Sequence, residues 1–197
     1  MIGGIILAAG NSRRFGSDKR RSLLFSGETL LEATIRKALT CLPAILVVLR
    51  NGDQAFAAQL MAGINDSRVR YYLAPDSAQG MAHSLANSVG QVQDWEAALV
   101  MLGDMPFLET HTIKQILDAY ASEVNRGTNP APIVVPCLGA KFGHPVLFSQ
   151  HYFRAITLLT GDRGARPIID AHPEYLVKLA VTDDGVLLDV DRPADLT

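Results

Sequence analysis

Over the first 135 residues, short and almost uninterrupted apolar runs alternate with stretches whose apolar residues recur at helical spacing. A strand that is apolar at every position has both faces covered, the condition of a parallel sheet with helices above and below it. Ile2–Ala9 is the first such run, followed by Ala44–Leu49, Val69–Leu73, Ala97–Leu102 and Ile133–Pro136. Between them, Leu31, Ile35, Ala38, Leu39 and Leu42 mark one face of a helix closed by Pro43. Further helices are expected over Gln54–Met61, Gly80–Val92 and Thr110–Asn125, with Asn51–Gly52 and Pro75 as turn signals. This alternation builds right-handed βαβ units, so the expected fold class is α/β: a three-layer αβα, mainly parallel, Rossmann-like sheet. Beyond the loose loop Gly127–Pro132 the elements shorten. Pro145–Phe148, Tyr175–Val181 and Val186–Val190 read as strands and Tyr152–Leu159 as a helix. With no linker, repeat or low-complexity tract, residues 1–197 are expected to form one domain.

Composition removes several classes of function. With 48% hydrophobic and 19% charged residues the chain can bury a core and is not a disordered polyelectrolyte. A net charge of −2 supplies no field for nucleic acid or an anionic membrane. No apolar run reaches the roughly 18 residues of a membrane span. The opening MIGGIILAAG carries its positive charges after the apolar run, so it reads as a strand and not a signal peptide. Cys41 and Cys137 lack disulfide-framework or zinc spacing, and a reducing cytoplasmic location is expected.

In sheets of this kind ligands gather at the carboxyl ends of strands. Leu7–Lys19, LAAGNSRRFGSDK, leaves the first strand there, and Arg13, Arg14, Lys19, Arg20 and Arg21 against Asp18 give residues 13–21 a local +4. A nucleoside triphosphate carries about four negative charges, of which one bound Mg²⁺ leaves roughly −2. Arg14 and Lys19 would nearly balance that, while Gly10 and Gly16 let backbone N–H groups approach phosphate oxygens. The spacing matches neither a Walker loop nor the dinucleotide fingerprint. Gly103-Asp104-Met105-Pro106 follows the strand Ala97–Leu102, placing a carboxylate where Mg²⁺ would meet the α-phosphate. Read alone, that tetrapeptide is as readily a plain turn.

The pattern L-A-[AG]-G-x-S-x-R-[MF]-G-x-x-K resembles the opening signature of the MobA-like nucleotidyltransferases, a GT-A-type family that includes the molybdenum cofactor cytidylyl- and guanylyltransferases. Gly10, Ser12, Arg14, Gly16 and Lys19 would coincide by chance at roughly one start in a million. The resemblance implies nucleotide binding by Leu7, Ala8, Ala9, Gly10, Ser12, Arg14 and Lys19, catalytic roles for Arg14, Lys19 and Asp104, and Asp104 as a metal ligand. Asp189–Leu196 resembles the family ending D-[IV]-D-T-P-x-D-L, which makes Asp191 the second metal ligand; by itself Asp191 is equally the N-cap of a terminal helix. Arg192 stands there in place of Thr. Ala78–Leu85 resembles the G-M-S-x-S-L segment and implies contacts from Gly80 and Ser84, with Ala82 replacing the first Ser. His83 is read as a surface or packed residue. Gly143–Phe148 and Gly161–Arg166 resemble the G-H-P-V-L-F and G-D-x-G-A-R elements of the cytidylyltransferase branch. They imply an acceptor side formed by His144, Arg163 and Arg166, the arginines gripping the phosphate of a pterin. Without the resemblance, His144 is equally a loop cap and the arginines solvated charges. Phe15 replaces the usual Met, and Arg20-Arg21-Ser22 stands where the family has apolar residues, the two arginines being equally solvated charges or ligands.

The activity implied is Mg²⁺-dependent transfer of a nucleoside monophosphate from an NTP to a phosphorylated acceptor, with release of pyrophosphate. The acceptor phosphate would attack the α-phosphorus in line, so no covalent nucleophile is required. L-A-A-G, where guanylyltransferases have L-A-G-G, favours CTP. The acceptor implied is molybdenum-bearing molybdopterin, its product passing to a molybdoenzyme of the hydroxylase type. Two rivals stand beside this: a sugar- or polyol-phosphate nucleotidyltransferase of the same fold, and a noncatalytic maturation factor that keeps the nucleotide pocket.

Overall fold

The computed structural model describes residues 1–10, 15–127, 129–190, 192 and 195. Its elements run β1 (Ile2–Leu7), α1 (Leu30–Leu39), β2 (Ile45–Arg50), α2 (Gln54–Ile64), β3 (Val69–Ala74), α3 (Met81–Val89), β4 (Ala97–Leu102) and α4 (Thr110–Arg126). After these come β5 (Ile133–Leu138), β6 (Lys141–Phe142), β7 (Val146–Ser149), α5 (Phe153–Ile156), α6 (Arg166–Ala171) and β8 (Leu176–Ala180). The strands form one sheet ordered β3-β2-β1-β4-β7-β5, with β8 parallel to β5. From β3 to β4 every pairing is parallel, and β7 runs against both β4 and β5.

The strand period of two divides the core into two apolar layers, one on each face of the sheet. Ile6, Val47, Leu49, Leu99 and Met101 pack against α1, α2 and α4 through Leu31, Ile35, Phe56, Leu60, Ile113 and Ile116. Their neighbours Ile5, Leu7, Leu46, Val48, Ala98 and Val100 face the other way, onto Leu85 and Val89 of α3, Phe153 and Ile156 of α5, and Ile168 and Ile169 of α6. These are the three layers expected. Helix α1 starts where its sequence says it should: Thr29 accepts from the Glu32 N–H, and Glu32 returns the bond to the Thr29 N–H at 3.0 Å, a capping box.

The later elements depart from expectation. Val186–Val190 is not a strand; Asp184–Val186 is a 3₁₀ turn and irregular chain follows. Buried Asp183 gathers the Glu109 N–H (2.9 Å), the Thr112 hydroxyl (2.7 Å) and the Gly185 N–H (2.8 Å), which bends the chain before any ladder can form. The helix expected over Tyr152–Leu159 is a 3₁₀ turn at Gln150–Tyr152 continued by α5. Helix α6, with Pro167 in its first turn, lies where no helix was expected.

Two features position the site. The first crossover leads from β1 to β2 and β3 on one side, whereas β4 takes the other side of β1. The carboxyl ends of β1 and β4, paired as far as Leu7 and Leu102, therefore flank the point where strand order reverses, the usual ligand crevice of such sheets. In the hairpin of β5 with β6 and β7, the pairs Cys137↔Phe142 and Val134↔Leu147 enclose residues 135–136 on one strand but 143–146 on the other. This bulge carries His144 out of the ladder.

Candidate active site

A cavity of about 480 Å³ opens at the carboxyl ends of β1 and β4. Leu7, Ala8, Ala9, Gly10, Lys19, Gly80, Ser84 and Asp104 all line it, so the structure gathers every described residue of the expected nucleotide and catalytic sets into one concavity. Ser12, Arg14 and Asp191, expected in the same site, lie outside the described residues.

Asp104 sits in the turn after β4 with its side chain 16% exposed, and the Lys19 ammonium donates to its Oδ2. Lys19 also donates to the Val190 carbonyl at 2.9 Å, and the Val190 N–H donates to the Asp104 carbonyl at 3.1 Å. These bonds stitch the C-terminal segment onto the β4 turn and bring Asp189, not singled out from the sequence, to the cavity wall. Burial, with the Asp189 charge adding to it, holds the Asp104 carboxyl above its ordinary range against the opposing pull of Lys19. Asp104 and Asp189 around the one Lys19 ammonium leave net negative charge at this wall, which suits a divalent cation. Among the described residues no three His, Cys, Asp or Glu side chains are grouped to cage a metal. Two carboxylates with phosphate oxygens completing the shell is the way Mg²⁺ is usually held, and Asp104 and Asp189 fit that donor set.

The opposite wall is the start of α3. Gly80 has φ +126°, and a Cβ there would lie 2.3 Å from Asp162 Oδ1 and 2.4 Å from the Gly161 carbonyl. The Ala82 N–H donates to that carbonyl at 2.9 Å. Ser84 is buried and its hydroxyl donates to the Gly80 carbonyl at 3.4 Å, while the Ala82 side chain is fully enclosed. Ser77, Gln79 and Asp162 complete this wall without having been expected from the sequence. His83 lines neither cavity.

A second cavity of about 120 Å³ shares Leu7, Met81 and Leu102 with the first and is lined by His144, Arg163 and Arg166. The expected acceptor residues thus stand together beside the residues expected to bind nucleotide. His144 Nδ1 is buried and, among the described residues, has no hydrogen-bond partner. Burial pushes its imidazole below the usual histidine range, although Asp104 and Asp189 pull the other way. Arg163 and Arg166 both reach Asp170, at 3.2 and 2.7 Å, and Arg166 lies 5.2 Å from the Phe142 ring centroid.

Arg20 corrects the alternatives left by the sequence. It is neither solvated nor spare: it is 4% exposed and paired with Asp18 and Asp53. Arg21 stays at the surface, bonded to Gln59 at 2.9 Å. No helix of the described residues is long and apolar enough to cross a membrane.

Comparison with known proteins agrees with this architecture. The model of the MobA-like NTP transferase domain matches residues 4–175. Purine catabolism protein PucB of Bacillus subtilis is 27% identical over 98% of this chain and 92% of its own length. Nicotine blue oxidoreductase of Paenarthrobacter nicotinovorans is 25% identical over 96% and 92%. The crystal structure of Rv0371c from Mycobacterium tuberculosis superposes with a TM-score of 0.79 at 28% identity, covering 98% of this chain and 94% of that one. A manganese complex of Rv0371c gives 0.75 at 26% identity over 98% and 95%.

Proposed function

This chain belongs to the MobA-like NTP transferase family, and from that premise we propose that it is a Mg²⁺-dependent cytidylyltransferase, acting as a single domain over residues 1–197. It transfers CMP from CTP to a phosphorylated acceptor and releases pyrophosphate. The observation that carries this reading is the Lys19–Asp104 pair, set at the strand-order reversal and joined by Asp189 on the wall of a 480 Å³ cavity.

In this reading the amides of the loop after β1 and the start of α3 receive the nucleotide. Lys19 and Arg14 meet the charge that develops on the transferred and leaving phosphates. Asp104, with Asp189 or Asp191, would hold the cation, which when bound supplies Lewis-acid polarisation of the α-phosphoryl group. Lys19 draws the Asp104 carboxyl back toward its ionised form and aims it until the nucleotide arrives. The second cavity receives the acceptor, with Arg163 and Arg166 on its anionic group and His144 neutral against its body. An oxygen of the acceptor phosphate attacks the α-phosphorus and pyrophosphate departs, so the chain contributes position and charge. The motif likeness supports molybdenum-bearing molybdopterin as acceptor and a molybdoenzyme of the hydroxylase type as recipient. The manganese bound to Rv0371c, a relative of the same fold, supports the use of a divalent cation.

Calorimetric titration with CTP, GTP, ATP and UTP, with and without Mg²⁺, tests the reading against Asp104→Ala. Mg²⁺-dependent, CTP-selective binding that the variant loses is the expected result. Binding of no nucleotide, or binding that Asp104→Ala retains, overturns it, and preference for another base overturns the cytidylyl assignment. Pyrophosphate release with sugar or polyol phosphates but not with the pterin would select the first rival. CTP binding without release for any acceptor would select the maturation factor.

A further inference from the structure

The loop leaving β1 is gripped by two arginines that the proposed chemistry does not use. Arg20 is 4% exposed, and a guanidinium so enclosed persists only when its donors are satisfied. All five of its N–H donors are taken up. Nε and Nη2 each meet an Asp18 oxygen at 2.7 Å, Nη1 and Nη2 meet the two oxygens of Asp53, and Nη1 also reaches the Ala8 carbonyl at 3.0 Å. The Phe56 ring centroid lies 4.4 Å from the guanidinium carbon. Arg50, at the end of β2, donates through Nε to the Gly10 carbonyl at 3.0 Å and through Nη2 to the same oxygen. Its backbone N–H bonds Asp53 at 3.0 Å, and its guanidinium lies 3.7 Å from Asp18. Two arginines and two aspartates thus form an electrically balanced cluster whose outer bonds hold carbonyls of the nucleotide loop.

A free carbonyl in that loop would turn an oxygen lone pair toward incoming phosphates. Because a trans peptide is planar, fixing the Ala8 carbonyl also fixes the Ala9 N–H on the opposite side of the same plane, and Ala9 lines the nucleotide cavity. We propose that Arg20 and Arg50 are positioning residues for nucleotide binding: with Asp18 and Asp53 they clamp the Ala8 and Gly10 carbonyls and so preset the amide face of the loop. The cluster explains why charge stands at residue 20, where the resemblance called for an apolar side chain. The nucleotide half of the inference rests on the function proposed above.

The clamp and the function are tested separately on the full chain. Amide hydrogen exchange of the ligand-free protein, followed residue by residue, reads the clamp, and calorimetry with CTP and Mg²⁺ reads its consequence. Arg50→Met leaves the buried arginine in place, and Arg20→Lys keeps the charge but has three donors in place of a five-donor fork. In both variants the Ala8 N–H, which bonds the Val48 carbonyl at 2.9 Å, exchanges at least tenfold faster while Ile5 and Ile6 are unchanged, and CTP binds at least tenfold more weakly. Arg50→Lys, which can still reach one carbonyl, recovers part of the affinity. Unchanged exchange in folded Arg50→Met overturns the clamp. Faster exchange with unaltered CTP affinity overturns its role in binding. A parent chain that binds no nucleotide overturns the functional reading and the binding half with it, while exchange still decides the clamp.

Discussion

The parallel half of the sheet, β1 to β4, and the chain from β5 onward contribute two walls of the candidate site by different means. On the parallel side the groups come from strand ends and the residues that directly follow: Leu7–Gly10 after β1, Gly103–Asp104 after β4. On the other side they arrive by distant contacts. His144 is thrust in by a bulge, and Asp189 is brought up by bonds from Val190 to Lys19 and Asp104. The first wall is a consequence of local chain geometry. The second depends on the whole sheet having formed.

In the proposed reaction, chemistry concentrates on the first wall. Asp104→Ala and Lys19→Ala are each expected to lower turnover by more than about 10² to 10³, the usual loss for one preorganised charge-stabilising group, while far-UV circular dichroism stays that of the parent. Arg166→Ala, on the second wall, is expected to raise the acceptor KM with kcat nearly preserved, because the side chain is 49% exposed and already shared with Asp170. Near-parental turnover in either first-wall variant would remove the proposed site. Equal losses on both walls would remove the distinction between them.

The same contrast sets what could be read from the sequence. Strands β1 to β4 fall within two residues of their expected bounds, because a continuous apolar run between turn signals has few other uses. Val186–Val190 has the same appearance and a different fate. Its Val186 and Leu187 N–H groups close a local turn, its Val186 carbonyl accepts from the His144 N–H at 2.8 Å and its Val190 N–H donates to the Asp104 carbonyl, so its backbone bonds go to the turn and to single distant partners and form no ladder. Arg20 was ambiguous for a similar reason. Asp18 is adjacent, but Asp53, which completes the pairing, lies at the head of α2, and only the folded chain joins them. The described residues expected to bind nucleotide were legible as a group because all of them line a single cavity that opens at strand ends; Asp189 was not, because it comes to that cavity only through the bonds of Val190 across the fold.

The seam between the walls gives the next effect. Gly80 packs against the Gly161 carbonyl and the Asp162 carboxylate at a φ of +126°. Gly80→Ala adds both strain and a close contact, an expected loss of about 1–3 kcal/mol. Gly139 also has positive φ, +59°, but nothing lies within 4 Å of its added Cβ. Gly139→Ala should therefore cost less, and the difference between the two denaturant midpoints reports the close approach together with the harsher backbone conformation at Gly80. Equal losses would mean that the seam yields freely and that the two walls are not rigidly joined there.

The smallest effect separates the walls by the sign of their pH dependence. His144 has its imidazole depressed below 6.5 by burial, so the unfolded chain takes up that proton first. Its contribution to stability is complete above about pH 6.5 and is lost as pH falls through the folded value. Asp104 works in the opposite sense: its raised carboxyl favours the folded state below 3.8, and that contribution is lost as pH rises through its folded value. A parent pH profile mixes the two, but the difference between parent and His144→Gln leaves Asp104 in both chains and largely cancels it. That difference in unfolding free energy should be flat above pH 6.5 and shift against the parent as pH drops toward 5. A difference flat over the whole range would mean that His144 accepts its proton in place. The neighbouring charges of Asp104 and Asp189 would then balance its burial; a shift in the parent's favour as pH drops would mean that they outweigh it, and the second wall would meet its acceptor with a cation where a neutral ring is proposed.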